Sequence, residues 1–201
     1  MKKFALFVSI FALPVFGVIA QDSLTLTHSY LDVGYERVFY SGDLGGSLED
    51  ANGIGLELSV APTENFFLLG EYHFASPDIV AGSGSVDTQD LRLGLGVNTL
   101  MGGGAADIYL QGGARYVEIG SSGFFDRLDD WGFYVEPGVR VEIAPSLEVY
   151  LSGDYTRIDE RNNWGGEVGT VFKFTDMLGL KLSGRIEEDR GILGIAGRLQ
   201  W

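Results

Sequence analysis

Apolar residues recur at every second position along much of this chain. Between 133 and 143, Phe133, Val135, Pro137, Val139, Val141 and Ile143 alternate with Tyr134, Glu136, Gly138, Arg140 and Glu142. An extended strand turns successive side chains to opposite faces, so one face here is greasy and the other largely charged. Strands of soluble domains usually end after about 5–6 residues, whereas a membrane-crossing strand needs about 9–11. The length of the alternation therefore predicts a strand that spans a membrane.

The pattern repeats. Leu31, Val33 and Tyr35 alternate with Asp32, Gly34 and Glu36, and Ile54, Leu56, Leu58 and Val60 with Gly55, Glu57 and Ser59. Phe66, Leu68, Tyr72 and Phe74 share a face opposite Glu71 and His73, although Phe67 and Leu69 make that second face partly apolar. Leu91, Leu93, Leu95 and Val97 oppose Arg92, Gly94, Gly96 and Asn98; Ile108, Leu110, Ala114 and Tyr116 oppose Tyr109, Gln111, Gly113 and Arg115. Leu147, Val149, Leu151 and Tyr155 oppose Glu148, Tyr150, Ser152 and Asp154. The last three segments carry Val168, Phe172 and Phe174, then Leu178, Leu180, Leu182 and Ile186, then Leu193, Ile195, Leu199 and Trp201. About ten segments, an even number, predict an all-β, antiparallel up-and-down transmembrane barrel, with eight strands as the alternative.

Links of unequal length support the same topology. Ala61-Pro62-Thr63, Met101 to Gly104, Ala144-Pro145-Ser146 and Thr175-Asp176 read as short turns. Ser41 to Ala51, Ala75 to Gln89, Gly120 to Asp130 and Asp159 to Asn163 read as longer polar links. Short periplasmic turns and longer outer loops are the asymmetry of outer-membrane barrels. Outward-parity aromatics fall at both strand ends: Phe39, Phe74, Tyr116, Trp131, Tyr155 and Trp164 toward the loops, Phe66, Phe174 and Trp201 toward the turns. Rings at the two edges of an apolar band form interfacial girdles. A secreted β-sandwich with core aromatics is the structural alternative.

The first residues have a different character. Met1-Lys2-Lys3 is followed by an apolar run to Phe16, and Val18-Ile19-Ala20 supplies a small-residue cleavage site before Gln21. That layout predicts a cleaved signal peptide over 1–20 and a barrel over 21–201. Pro14 and Gly17 interrupt a run already short for a spanning helix. Removal of those 20 residues leaves 181 of 201 and takes Lys2 and Lys3, so the net charge moves from −14 to −16. Such acidity argues against nucleic acid, which needs a basic footprint. No cysteine occurs, which excludes a lipoprotein anchor, disulfides and thiolate metal sites.

The Lys-Lys start, the repeated hairpins and the closing Gly194-Ile195-Ala196-Gly197-Arg198-Leu199-Gln200-Trp201 resemble the small Gram-negative outer-membrane barrels, the OmpA-like, OmpX-like "porin family". The resemblance implies an outer-membrane location and contact with membrane lipid and lipopolysaccharide. It also implies a C-terminal signal for the barrel-assembly machinery, matched by Ile195, Gly197, Leu199 and Trp201, with Trp where Phe is commoner. No periplasmic peptidoglycan-binding domain follows the barrel, so a cell-wall anchoring role is not implied. The likeness is one of architecture and names no activity; the chain is expected to be a monomer.

Inward parity places Asp32, Glu36, Glu57, Glu71, Glu136, Glu142, Glu148, Asp154 and Glu167 against Arg92, Arg115, Arg140, Lys173, Lys181, Arg185 and Arg198, with His73 titratable. A buried charge is costly unless paired, so this near balance predicts a narrow lumen cross-linked by ion pairs. Aqueous porin channels need about 16–18 strands. The expected role is structural, in envelope integrity or surface interaction; a narrow channel for ions or small solutes is the alternative. Asp43, Glu49, Asp50, Asp78, Asp87, Asp126, Asp129, Asp130, Asp159, Glu160, Glu188 and Asp189 fall at or near the outer tips. Solvated loops are the expected reading, because no loop has the ligand spacing of a calcium-binding hand; oxygen ligation of Ca²⁺ or Mg²⁺ that bridges to lipopolysaccharide phosphates is the alternative.

Catalysis has one candidate. Glu71, His73 and Ser76 lie close enough in sequence for a nucleophile–base grouping, but the stretch lacks the His-x-Ser-Asn pattern of lipid A deacylases. His28 stands near the start of the first strand. No metal or cofactor site is expected, with two histidines and no cysteine. Gly102-Gly103-Gly104 is read as a turn, since no helix follows to make a phosphate cradle.

Overall fold

The computed structural model describes residues 26–41, 46–80, 84–120 and 128–201. The expected signal segment 1–20 lies outside them, as do Asp43 and Asp126. Ten strands follow one another: β1 (Tyr30–Tyr40), β2 (Ala51–Thr63), β3 (Phe66–Ala75), β4 (Thr88–Met101), β5 (Ala106–Ile119), β6 (Leu128–Ala144), β7 (Leu147–Ile158), β8 (Arg161–Lys173), β9 (Leu178–Ile186) and β10 (Arg190–Gln200). Each pairs antiparallel with its chain neighbours, and β10 returns to β1, from Tyr30 opposite Gln200 to Tyr40 opposite Arg190. The barrel is thus closed and ten-stranded, not eight. Closure leaves no sheet edge, the condition for backbone polar groups to be satisfied within hydrocarbon.

The period of two sorts the side chains as expected. Leu95, Ile108 and Leu151 point away from the barrel with more than half their surface exposed. Their chain neighbours turn inward, and the interior is close-packed by an interlock of large rings with inward glycines. The Phe67 ring lies over Gly96, Tyr109 over Gly138 and Tyr150 over Gly169; a Cβ at those glycines would sit 2.2, 2.2 and 2.4 Å from a ring carbon. At these three positions there is no room for even one added carbon.

Several links differ from their sequence boundaries. Ala61 to Thr63 belongs to β2, where a register shift between Val60 and Thr63 takes up Pro62, and the turn is Glu64-Asn65. A bulge lets the strand continue past a residue that cannot donate to the ladder. The link Asp159 to Asn163 contracts to Asp159-Glu160, because Ile158 pairs with Arg161; Asp159 takes a φ of 52° there. β6 begins at Leu128, so Asp129 and Asp130 lie on a strand extension rather than in a loop. Gly102 to Gly104 forms one tight 3-10 turn with φ values of 61°, 71° and 97°.

Candidate functional site

The interior is the candidate site, and its charges form layers along the barrel axis. At the loop end, Arg115 donates from Nε and Nη2 to Asp90 at 3.0 and 2.6 Å, from Nη2 to Glu187 at 2.9 Å, and from Nη1 to Thr156 at 3.1 Å. Arg92, with no exposed surface, donates to Glu187 at 3.0 Å and lies 3.7 Å from Asp154 and 3.5 Å from Glu136. Arg190 donates to Asp90 and, at 3.1 Å, to Glu187. Glu187 sits in the β9–β10 link. Burial opposes its ionisation, but Arg190, Arg115 and Arg92 together outweigh burial and hold its carboxyl well below the usual range.

The middle layer is built from β1, β2, β3, β7, β8, β9 and β10. Arg198 makes a two-pronged contact with Asp32, both bonds 2.7 Å, and its guanidinium lies 3.9 Å from the Tyr30 ring centre. Lys181 reaches Glu57 at 2.6 Å and Asp32 and Glu167 at 3.6 Å. Arg185 bridges Glu167 at 2.6 Å and Glu71 at 3.3 Å. His73 lies 2.9 Å from Glu36 through Nδ1 and 3.7 Å from Glu71 through Nε2. Tyr30 and Tyr150 donate to Glu57 and Glu167 at 2.5 and 2.7 Å.

The turn end has fewer charges and more rings. Arg140 donates to Glu148 at 2.8 Å, and Lys173 to Glu142 at 2.8 Å. The segment before β1 folds into this mouth: Leu26, His28 and Ser29 are all buried. His28 stacks on Phe67 with ring centres 4.1 Å apart and planes 9° from parallel, while Tyr109 meets it edge-on at 5.9 Å. Its Nε2 lies 2.5 Å from Asp107, a contact that requires the proton on Nε2. Burial lowers the His28 pKa below its ordinary 6.5, with Arg140 acting in the same direction and Asp107 opposing.

Two cavities lie within the barrel. One is lined by Glu36, His73, Ser183 and Ile192 together with Gly34, Gly55, Gly194 and Ala196. The other is lined by His28, Tyr30, Tyr109, Gln111, Glu136, Arg140 and Glu148. Glu57, Glu71, Glu167, Lys181 and Arg185 line both, so this charge layer is the septum between them.

All the charges that sequence parity assigned to the interior face it in these layers. Four more join them: Asp90, Asp107, Glu187 and Arg190. They take nine acids and seven bases to twelve and eight among the described residues, so the interior is acidic rather than near balance. Extending each parity one step past Arg92, Tyr109 and Ile192 finds Asp90, Asp107 and Arg190; in the sequence those positions look like link or strand margin. The Glu71-His73-Ser76 grouping is not assembled. The Ser76 hydroxyl donates to Asp87 instead, outside the lumen layers. Among the described residues no group of three or more His, Asp or Glu side chains is placed to hold a metal ion.

No curated protein matches the sequence. Among solved structures, an outer-membrane channel from Pseudomonas putida F1 superposes with a TM-score of 0.51 at 12% identity, over 92% of this chain and 100% of that one. The KdgM porin in complex with disordered oligogalacturonate gives 0.50 at 10% identity, over 86% and 99%. The N-terminal β-barrel domain of Pseudomonas aeruginosa OprF gives 0.46 at 11%, over 86% and 98%. At such identities the first two likenesses are likenesses of fold alone. The outer membrane protein beta-barrel domain model matches residues 8–185, and with the closed ten-stranded wall it makes this chain a member of that family, a protein of the outer membrane.

Proposed function

We propose that this barrel serves the envelope as a structural or surface-interacting protein with a closed lumen, rather than as a diffusion pore or an enzyme. The observation that carries this reading is the middle septum, where Lys181 and Arg185 are held by four carboxylates across the barrel. Opening it would separate buried partners and leave each charge short of its counterpart. Recordings from the refolded protein in planar bilayers test it: silence is expected, and large, stable steps that scale with salt would overturn it.

One observation favours a narrow channel as the second reading, namely the polar cavities on either side of the septum. Under that reading the steps are small and cation-selective, because acids outnumber bases inside. An acidic lumen is a poor host for the polyuronate bound by the KdgM porin, so an anionic saccharide is not the solute we propose. Among the described residues His73 hydrogen-bonds to Glu36 rather than to a nucleophile; lipid A from cells carrying His73→Ala should have an unchanged mass spectrum.

Lipid and lipopolysaccharide are the proposed partners of the outer wall. The barrel-assembly machinery is the proposed reader of Ile195, Gly197, Leu199 and Trp201. Three of these lie on the closing seam, with Ile195 opposite Tyr35, Gly197 opposite Val33 and Leu199 opposite Leu31. Deleting Trp201 should lower the amount of heat-modifiable barrel in the outer membrane while leaving export intact.

A further inference from the structure

Five carboxylates line the lower cavity, on the turn side of the septum, and four of them hold a hydrogen bond from a base. Glu57 accepts from Lys181 at 2.6 Å, Glu148 from Arg140 at 2.8 Å, and Glu167 and Glu71 from Arg185 at 2.9 and 3.3 Å. Glu136 is the fifth. It is only 4% exposed, and its Oε2 has no hydrogen-bond donor among the described residues. Its basic neighbour is Arg92 at 3.5 Å, but that guanidinium is shared: the short bond, 3.0 Å, goes to Glu187, and Asp154 stands at 3.7 Å. Three carboxylates around one guanidinium leave the group net negative. Gln111 on β5 is the register partner of Glu136, lines the same cavity, is 8% exposed and makes no hydrogen bond among the described residues. The Tyr109 ring crosses from β5 onto Gly138, the next inward position of β6, and brings its hydroxyl to the same wall.

We propose that the lower cavity binds one alkali-metal cation, Na⁺ or K⁺, held by the Glu136 carboxylate with the Gln111 amide oxygen and the Tyr109 hydroxyl. Two buried polar side chains that face a cavity without partners mark a place for water or an ion. Water would satisfy their hydrogen bonding but leave the surplus charge in the interior, where an unpaired carboxylate is costly. A hard cation supplies the charge and takes the same oxygens as ligands. Its own charge should be one. A divalent ion draws on several carboxylates, and here the other four are bonded to lysine or arginine. Size points the same way: the cavity, about 40 Å³, holds an ion with a water or two and excludes a sugar or an organic amine. The site needs no opening of the septum, so it stands or falls separately from the closed-lumen reading that conductance tests.

Stability linkage tests it. The barrel, refolded into zwitterionic vesicles, is unfolded with urea while NaCl or, separately, KCl replaces N-methylglucamine chloride at constant total chloride. Screening of the ion pairs is then the same throughout, and the organic cation is too large for the cavity. A single site present only in the folded state makes the folding constant rise with the alkali cation, approaching about tenfold for each tenfold in concentration. Glu136→Gln keeps the shape and removes the charge, and its folding constant should be flat in both salts. Gln111→Leu keeps the charge and removes one oxygen, so its rise should begin at a higher concentration; this variant carries the test if Glu136→Gln does not refold. The proposal is overturned by a flat wild-type response to both salts, which would mean that a proton or Arg92 alone neutralises Glu136. It is equally overturned if either variant responds as the wild type does, which would place the cation elsewhere.

Discussion

The two ends of the lumen are lined in different ways. The outer end is a mesh of guanidinium and carboxylate groups: Arg115 and Arg190 each contact both Asp90 and Glu187, and Arg92 also reaches Glu187. The periplasmic end has a stack of rings, Phe67, His28 and Tyr109, with a hydrogen bond between the imidazole and Asp107, beside two ion-paired groups, Arg140 with Glu148 and Lys173 with Glu142. A mesh shares each charge among several partners, but it cannot lose one cheaply, because the remainder stay buried. A stack loses contact area in proportion to what is removed. Under the proposed closed-lumen reading, the outer end is the rigid closure and the periplasmic end the adjustable one.

The largest effect should come from breaking the mesh. Arg115→Met leaves Asp90 and Glu187 short of a partner in a buried site, at a cost of about 3–5 kcal/mol in denaturant unfolding from lipid vesicles. Next comes Gly96→Val, whose added carbons meet the Phe67 ring. Overpacking of this kind costs about 1–3 kcal/mol, and it should raise hydrogen exchange at residues 26–29, where His28 stacks on Phe67, while leaving the Glu187 link protected. If exchange rose equally at both ends, the two closures would not be separate units.

Acid separates the ends further. His28 has a lowered folded pKa, so its contribution is present above 6.5 and is lost as pH falls through the folded value. Glu187 is also lowered, so its contribution is present above the ordinary 4.5 and is lost only well below it. Between pH 6.5 and 5 the periplasmic end alone should loosen, by at most about 1.4 kcal/mol per pH unit, seen as exchange at residues 26–29. The smallest effect is expected at the outer surface: Arg37 and Asp50 are 3.9 Å apart and both well exposed. Asp50→Asn should shift stability by under about 0.5 kcal/mol.

Much of this is legible before the fold. The inward parity of Asp32, Glu71, Arg92 and Arg198 follows from a local rule, since each sits one residue from an apolar neighbour in an extended chain. The margins are not legible. Asp90 and Asp107 lie where alternation gives way to polar links, and Pro62 reads as a turn because nothing local announces a bulge. Glu187 fits the parity, yet only its meeting with three arginines from β4, β5 and β10 gives it a structural place.

What the sequence determined by itself is the wall: a period of two, sustained over lengths that cross a membrane, assigns each residue to lipid or lumen whatever its partners. Tertiary structure alone decided that ten strands close, and which charges then meet. Arg198 finds Asp32 from 166 residues away, and Lys181 finds Glu57 from 124, because closure sets β10 beside β1 and puts β9 and β2 on either flank of that pair. The segment before β1 belongs to the same class. Nothing in Leu26-Thr27-His28-Ser29 marks it as part of the interior until Phe67, Asp107 and Arg140 converge on it from three separate strands.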